Sequence, residues 1–165
     1  MIQPKPTRYG PYLFKSRLEA RWAVFLDNCP SVLRWSYEPV RFRELQTGWD
    51  YTPDFSVVTA GRKLYLEVKP IFPTAEYLHV LQVFAIAIAQ QDRNLSFRPG
   101  KPPLLQALVL GYGNFWDDDI TLLSVESPNL RFSLQSVFAN SKTARILANN
   151  YRFDLPQRKK GRRRK

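Results

Sequence analysis

The chain has 165 residues, of which 44% are apolar and 14% aromatic, a length and composition typical of one globular domain. This content excludes a disordered tail protein, and the single cysteine, Cys29, excludes an intrachain disulfide or a cysteine zinc cluster. His79 is the only histidine, so any serine–histidine or cysteine–histidine chemistry would need it. The longest apolar stretch, 78–89, is too short to span a bilayer, and no cleavable signal pattern opens the chain. We therefore expect a cytoplasmic protein with no membrane partner.

The positive charge is concentrated near the C-terminal end. The chain carries 25 Lys and Arg against 14 Asp and Glu, a net charge of +11, and subtracting the seven charges of 158–165 leaves +4. A tail of like charges without apolar residues is expected to be disordered and to bind a polyanion by releasing counterions. A solubilising or localising tail is the alternative. The predicted nucleic-acid-binding residues are Arg158, Lys159, Lys160, Arg162, Arg163, Arg164 and Lys165.

Apolar periodicity divides the chain into helices and strands. An irregular arm is predicted over 1–13, a single domain over 14–155 and the basic tail over 156–165. The element order α-β-β-β-α-β-β-α predicts an α/β fold, a central mixed sheet flanked by helices. The predicted elements are a helix from Ser16 to before Pro30, strands over 33–42, 51–59 and 63–69, a helix over 74–91, strands over 104–110 and 120–125, and a helix from Ser136 or Asn140 to Tyr151.

Acidic residues and a lysine are expected to meet at one strand end. Side chains two apart in a strand share a face, so Glu67 and Lys69 project together. A hairpin turn at 60–62 would bring Asp54 within reach of both. Two carboxylates and a strand carbonyl suit a hard divalent cation, which lowers the pKa of a bound water, while a nearby lysine can orient that water. A plain ion pair between Glu67 and Lys69 is the alternative.

Glu19 is a fourth candidate, at the border of the buried face of the first helix. The segment 16–19 reads Ser-Arg-Leu-Glu, a capping box in which the glutamate satisfies a backbone N–H of the first turn. A helix cap and an active-site acid are therefore both open interpretations of Glu19.

Four short motifs in order resemble the PD-(D/E)XK nuclease superfamily, and are most similar to its phage-encoded and transposon end-cleaving endonucleases. The resemblance covers residues 12–70 and implies a restriction-endonuclease-like fold. The motifs are Ser16-Arg17-Leu18-Glu19-Ala20-Arg21-Trp22-Ala23, Tyr37-Glu38-Pro39, Tyr51-Thr52-Pro53-Asp54-Phe55 and Tyr65-Leu66-Glu67-Val68-Lys69-Pro70.

The resemblance also implies roles for individual residues. Asp54 and Glu67 would be the metal ligands, with the Val68 carbonyl as a third and Glu19 acting directly or through water. Lys69 would activate the attacking water. The implied cofactor is Mg²⁺, with Mn²⁺ able to substitute, and the implied products are a 5′-phosphate and a 3′-hydroxyl.

The resulting hypothesis is a metal-dependent DNA endonuclease acting at specific sites, transposon ends or branched DNA. Cutting both strands needs two copies, so a homodimer or higher oligomer is expected, with a transposase or phage protein as a further partner in a bacterial or phage-infected cell. The alternative is a non-catalytic DNA-binding or assembly protein on the same frame. A third hypothesis, an RNA-binding protein, is supported by the basic tail alone.

The remaining polar and aromatic candidates have simpler interpretations. Glu38 is expected to end a strand, with a place in the site as the alternative. His79 is expected to be a helix-surface or packing residue, and the acidic run 117–119 a solvated loop. Trp49 and Trp116 adjoin turn signals and are candidates for stacking on a base.

Overall fold

A computed structural model of the chain describes residues 4–60, 62–92, 108–113, 121–124 and 131–154. The helices are α1 (Arg17–Asn28), α2 (Ala75–Gln91), α3 (Leu134–Val137) and α4 (Lys142–Asn150). None of the helices in these ranges is long and apolar enough to cross a bilayer. The strands are β1 (Thr7–Tyr9), β2 (Tyr12–Phe14), β3 (Val32–Tyr37), β4 (Phe42–Arg43), β5 (Asp50–Tyr51), β6 (Phe55–Thr59), β7 (Lys63–Lys69), β8 (Leu108–Tyr112), β9 (Thr121–Ser124) and β10 (Arg131–Ser133).

A six-stranded sheet of mixed orientation forms the centre, in the order β10-β9-β8-β7-β6-β3. Strands β3, β6 and β7 are antiparallel neighbours, and β7 pairs with β8 in parallel. A parallel pair needs a crossover connection, and α2 lies in the segment that joins β7 to β8. The predicted mixed α/β class with a central sheet is confirmed.

Strand β7 carries a different core on each face because its side chains alternate. Leu64, Leu66 and Val68 belong to the larger core, which includes residues of α1 and α4. Tyr65 packs in a second core with α2 residues such as Leu81. Every residue from 64 to 68 is buried. Glu67 is therefore an acidic residue within a fully buried stretch of β7.

Two predicted strands are wrong in extent. The strand predicted over 33–42 ends at Tyr37, since Glu38 has the left-handed φ of +43° and Pro39 follows it. The strand predicted over 51–59 is divided between β5 and β6, because Pro53 has no N–H for a sheet ladder. The freed segment 42–51 forms the separate β4–β5 hairpin.

The N-terminal arm also differs from its prediction. Residues 7–14 form the β1–β2 hairpin rather than irregular chain, turning at Gly10, whose φ is +56°. The side chain of Phe14 is fully buried and its ring lies 4.5 Å from that of Tyr37. The predicted element order therefore lacked β1, β2, β4, β5, β10 and the short α3.

Gly111 is required by the packing of α1 on the sheet, which gives a stability prediction. A Cβ at this position would lie 2.8 Å from Cζ2 of Trp22 and 3.3 Å from Cδ1 of Leu66. We expect Gly111→Ala to lower the free energy of unfolding by about 1–3 kcal/mol through overpacking, measured by urea denaturation. Adding Trp22→Phe should make the two losses less than additive, and simple additivity would contradict this contact.

Candidate active site

Asp54 and Glu67 lie side by side at the end of two paired strands. The register pairs Phe55 of β6 with Leu66 of β7, so the next position toward this end places Asp54 next to Glu67. Oδ2 of Asp54 accepts a hydrogen bond of 2.8 Å from the backbone N–H of Val68. The break at Pro53 frees Asp54 from the ladder, and its carboxyl turns onto the β7 backbone. The structure thus brings the two predicted carboxylates together.

Glu67 is buried, with 4% of the residue exposed, and three neighbours contact its carboxylate. The Tyr51 hydroxyl donates to Oε2 at 2.7 Å, and the Tyr77 hydroxyl donates to Oε1 at 3.0 Å. Nζ of Lys69 lies 2.8 Å from Oε1. A buried carboxylate that lacked such partners would cost several kcal/mol, so the two phenols and the ammonium hold the Glu67 side chain in one orientation.

The surroundings of Asp54 disfavour its ionised form. Burial and, next, the negative charge of Glu67 raise the pKa of Asp54 to about 8. The Val68 N–H and the Lys69 ammonium oppose this shift, and Glu19 adds to it. Oδ1 of Asp54 accepts no hydrogen bond from any residue that the structure describes. Asp54 therefore keeps its proton to a higher pH than usual, and a further positive group beside it would favour its ionised form.

Lys69 remains a cation in this arrangement. Burial by itself would lower the pKa of the ammonium, but the charge and the hydrogen bond of Glu67 outweigh it and raise that pKa above its ordinary value. Nζ also lies 5.2 Å from the centre of the Tyr77 ring, within range of a cation–π contact. At neutral pH Lys69 can therefore donate hydrogen bonds and offset negative charge.

Glu19 is both a helix cap and part of the site's surroundings. Ser16 is the N-cap, and its Oγ accepts from the Glu19 N–H at 3.1 Å. The Glu19 carboxylate in turn accepts from the Ser16 hydroxyl at 2.7 Å, from the Lys15 N–H at 3.1 Å and from the Tyr37 hydroxyl at 2.6 Å. The reciprocal bond of the capping box thus reaches Lys15 rather than the Ser16 amide. Glu19 is close enough to raise the pKa of Asp54.

Lys15 and Glu38 extend the charged cluster on the α1 side. Their side chains form an ion pair, and that hydrogen bond is the main cause that raises the pKa of Lys15, with Asp54 and Glu19 adding to it. Glu38 follows the last residue of β3, and its N–H donates to the Asp54 carbonyl at 2.9 Å. Its left-handed backbone is unusual for a residue with a side chain.

Sequence reasoning missed the three tyrosines that hold the two glutamates, as well as Lys15. Tyr37 and Tyr51 belong to the quoted motifs, yet a tyrosine in a strand is ordinarily read as core. Tyr77 follows the N-cap Thr74 on α2 and gave no signal, since only the crossover brings it back to β7. Burial and, next, Glu67 raise the pKa of both Tyr51 and Tyr77, so these phenols stay protonated donors.

The donor set suits a hard cation bound with several waters. Oδ1 of Asp54 is open, and Glu67 accepts three contacts where a carboxylate offers about four lone pairs. Within the described ranges, no three His, Cys, Asp or Glu side chains are grouped so as to hold a metal ion on their own. A cation here would take two carboxylates and complete its shell with carbonyl oxygen and water.

Several sequence candidates lie elsewhere. His79 is exposed on α2, in agreement with a surface role. Trp49 is exposed at the end of the β4–β5 hairpin. Trp116, the acidic run 117–119 and the basic residues of 158–165 fall outside the described residues.

No protein-family model matches the chain, and no curated protein matches it.

The raised pKa of Asp54 predicts a pH-dependent loss of stability in metal-free buffer. Its folded pKa, about 8, exceeds the ordinary 3.8, so the folded state retains a proton that the unfolded chain loses. Stability should therefore be highest below about pH 4 for this group and fall as the pH rises through 8. In Asp54→Asn this decline should shrink by several kcal/mol, measured by urea denaturation across pH.

Asp154→Asn is the matched control, since Asp154 is an exposed partner of Lys5 and Arg17. If the free energy of unfolding of the wild type and of Asp54→Asn changed with pH in the same way, the raised pKa of Asp54 would be contradicted.

Proposed function

We propose that the protein is a magnesium-dependent endodeoxyribonuclease of the PD-(D/E)XK type that hydrolyses DNA phosphodiester bonds. The observation that carries this proposal is the convergence of Asp54, Glu67 and Lys69 at one end of two adjacent strands. A 2.8 Å bond from the Val68 amide holds the aspartate there. Two carboxylates and an ammonium at one point match the needs of metal-assisted phosphodiester hydrolysis.

The chain order of the elements supports the same proposal. A helix, α1, precedes the antiparallel set β3-β6-β7, and α2 then leads to the parallel strand β8. This sequence of helix, three strands, crossover helix and parallel strand is what we would expect of a restriction-endonuclease-like core. The hairpins β1–β2 and β4–β5 are then additions to that core.

The proposed cofactor is Mg²⁺, with Mn²⁺ as a substitute. Asp54, Glu67 and the Val68 carbonyl would hold it, with Glu19 contributing directly or through water. A divalent cation at this position lowers the pKa of a bound water and offsets charge on a phosphodiester oxygen. Burial and, next, the negative charge of Glu67 raise the pKa of Asp54, and such a cation would favour its ionised form.

The chain's own residues would prepare the reaction. Tyr51 and Tyr77 keep the Glu67 carboxylate oriented. Lys69, as a cation, can orient the attacking water and stabilise the developing charge on the phosphate, rather than remove a proton at neutral pH. The water oxygen bonds to phosphorus while the bond to the 3′ oxygen breaks. The water's proton passes to solvent and the 3′ oxygen takes one, leaving a 5′-phosphate and a 3′-hydroxyl.

The proposed substrate is DNA, as a specific site, a transposon end or a branched structure. The basic residues of 158–165 would raise the local affinity for DNA through phosphate contacts that carry no sequence information. Two such domains are needed for a cut in both strands, so we propose a homodimer or higher oligomer. A transposase or phage protein is the further partner that this class of substrate suggests.

Lys69→Met and Asp54→Asn should each reduce cleavage by at least about 100-fold, since Lys69 would stabilise charge on the reacting phosphate and Asp54 would hold the cation. The measurement is a panel of linear, supercoiled, flapped and four-way-junction DNAs incubated with Mg²⁺ or Mn²⁺, with cut positions mapped on a sequencing gel. DNA binding should be retained in both variants.

The matched controls are Lys142→Met, an exposed lysine on α4, and Asp154→Asn. The nuclease proposal fails if the wild type cuts none of these DNAs, or if Lys69→Met cuts as fast as Lys142→Met. Unchanged DNA binding without cleavage in the wild type would instead support the non-catalytic DNA-binding protein.

Metal binding should be detectable without any DNA. A saturating concentration of Mg²⁺, at about 100 times its Kd, should stabilise the folded protein and raise its Tm by about 5 °C or more. Differential scanning calorimetry at pH 8 should show this rise for the wild type and Asp154→Asn, and none for Asp54→Asn. An equal rise in Asp54→Asn would place the metal elsewhere.

A further inference from the structure

A pocket of about 390 Å³ lies between α1, the β1–β2 hairpin and the start of β3. Its walls include the rings of Tyr9, Tyr12 and Trp35, and the last two rings lie 5.5 Å apart. Leu26 and Asp27 of α1 also line it. None of these residues belongs to the candidate active site, so the Asp27 pocket is a separate feature of the molecule.

The Asp27 carboxylate is held in one orientation by two aromatic side chains. Its Oδ2 accepts from the Tyr9 hydroxyl at 2.8 Å, and its Oδ1 accepts from the Trp35 indole N–H at 2.8 Å. Both donors are neutral, and none of the ion pairs among the described residues involves Asp27. A carboxylate offers about four lone pairs, so each oxygen can accept a further bond. The two donors orient the carboxylate and do not offset its charge.

Asp27 is the charged group that faces the aromatic walls, although Arg34 also borders the pocket. Arg34 and Trp35 are successive residues of β3, so their side chains lie on opposite faces of the sheet. Trp35 packs against the larger core on the α1 side and bonds to Asp27 there. The Arg34 side chain therefore lies across the strand from Asp27. A negative charge among aromatic rings favours a cation as the ligand of this pocket.

The last described residues of the chain lie beside this pocket. Two rings of the segment 151–153 lie 5.3 Å and 6.4 Å from the Tyr9 ring. Asp154 is the last residue that the structure describes, and the basic segment 158–165 begins four residues later. Four residues span at most about 14 Å. A side chain of this segment can therefore reach Asp27.

Charge complementarity favours the segment 158–165 as the occupant. It carries four Arg and three Lys and no acidic residue. Asp154, the acid nearest to it in the chain, already forms ion pairs with Lys5 and Arg17. An arginine binds a carboxylate through two parallel N–H groups and stacks on aromatic rings. The pocket offers both contacts, whereas a phosphate would be repelled by Asp27.

We propose that an arginine of the segment 158–165 docks in the Asp27 pocket of the same molecule when no DNA is bound. Its guanidinium binds the Asp27 carboxylate with two hydrogen bonds and lies against the aromatic walls. This inference goes beyond the proposed nuclease function and holds whether or not the protein cuts DNA. Phosphates bind the same cations, so DNA competes with Asp27 for the segment and releases it.

The test is paramagnetic relaxation measured by NMR in the full chain. A nitroxide is attached at Gly161→Cys, and Cys29→Ala removes the other thiol. A nitroxide broadens the signals of nuclei near it, so the Trp35 indole and Tyr12 amide signals should lose most of their intensity. Reducing the nitroxide, or adding saturating duplex DNA, should restore them. Asp27→Asn should lower the docked population about tenfold, through the loss of a charge-assisted bond, and should also restore both signals.

Glu76→Gln is the matched control, since Glu76 is an exposed acid in the first turn of α2. It removes the same charge and should leave the broadening unchanged. A second variant leaves the pocket intact: all seven basic residues of 158–165 are replaced by glutamine. The Trp35 and Tyr12 signals of that variant should be as intense as those of Asp27→Asn.

The proposal is overturned if the parent shows no broadening, or if Asp27→Asn is broadened as strongly as Glu76→Gln. It is also overturned if the glutamine-substituted segment still broadens the signals, or if saturating DNA leaves them broadened. Docking within one molecule predicts no broadening in a mixture of nitroxide-labelled chain with ¹⁵N-labelled chain that lacks the nitroxide. Broadening in that mixture would overturn the proposal and assign the pocket to a contact between two copies.

Discussion

The proximity of the Asp54 and Glu67 carboxyl groups is the constraint on which the rest of the site depends. Asp54 and Glu67 lie next to each other where β6 and β7 begin and end, and like charges there repel with little water to screen them. Every neighbour responds to that fact. The Val68 amide and the Lys69 ammonium oppose the raised pKa of Asp54, and two tyrosines donate hydrogen bonds to Glu67. These contacts do not fully offset burial and the charge of Glu67, so the pKa of Asp54 remains raised.

The two glutamates are held in the same way from opposite sides of the sheet. Glu19 on the α1 side accepts from the Tyr37 hydroxyl, and Glu67 on the α2 side accepts from the Tyr51 and Tyr77 hydroxyls. A phenol donates one hydrogen bond and titrates well above neutral pH, so it fixes a carboxylate without neutralising it. The tyrosines thus orient the two glutamate side chains without adding a positive charge beside them.

Residue patterns predicted the parts of the structure that depend on local rules. The strand 63–69 has the bounds of β7, and the helix 74–91 matches α2, because alternation and a Thr74 cap are read directly from the chain. The meeting of Asp54 with Glu67 also followed, since a short turn joins their strands. The tyrosine donors were beyond reach because their partners are 10 to 18 residues away. The division at Pro53 was missed because 51–59 was predicted as one strand.

The β4–β5 hairpin lies between β3 and β6 in the chain but pairs with neither strand of the central sheet. Its length and tip can therefore change between descendants of this sequence while the strands that hold the acidic pair keep their register. Only Tyr51, at its return, ties it to Glu67. Substitutions in this hairpin can therefore change what the protein binds without disturbing the acidic pair, provided that the Tyr51 hydroxyl is retained.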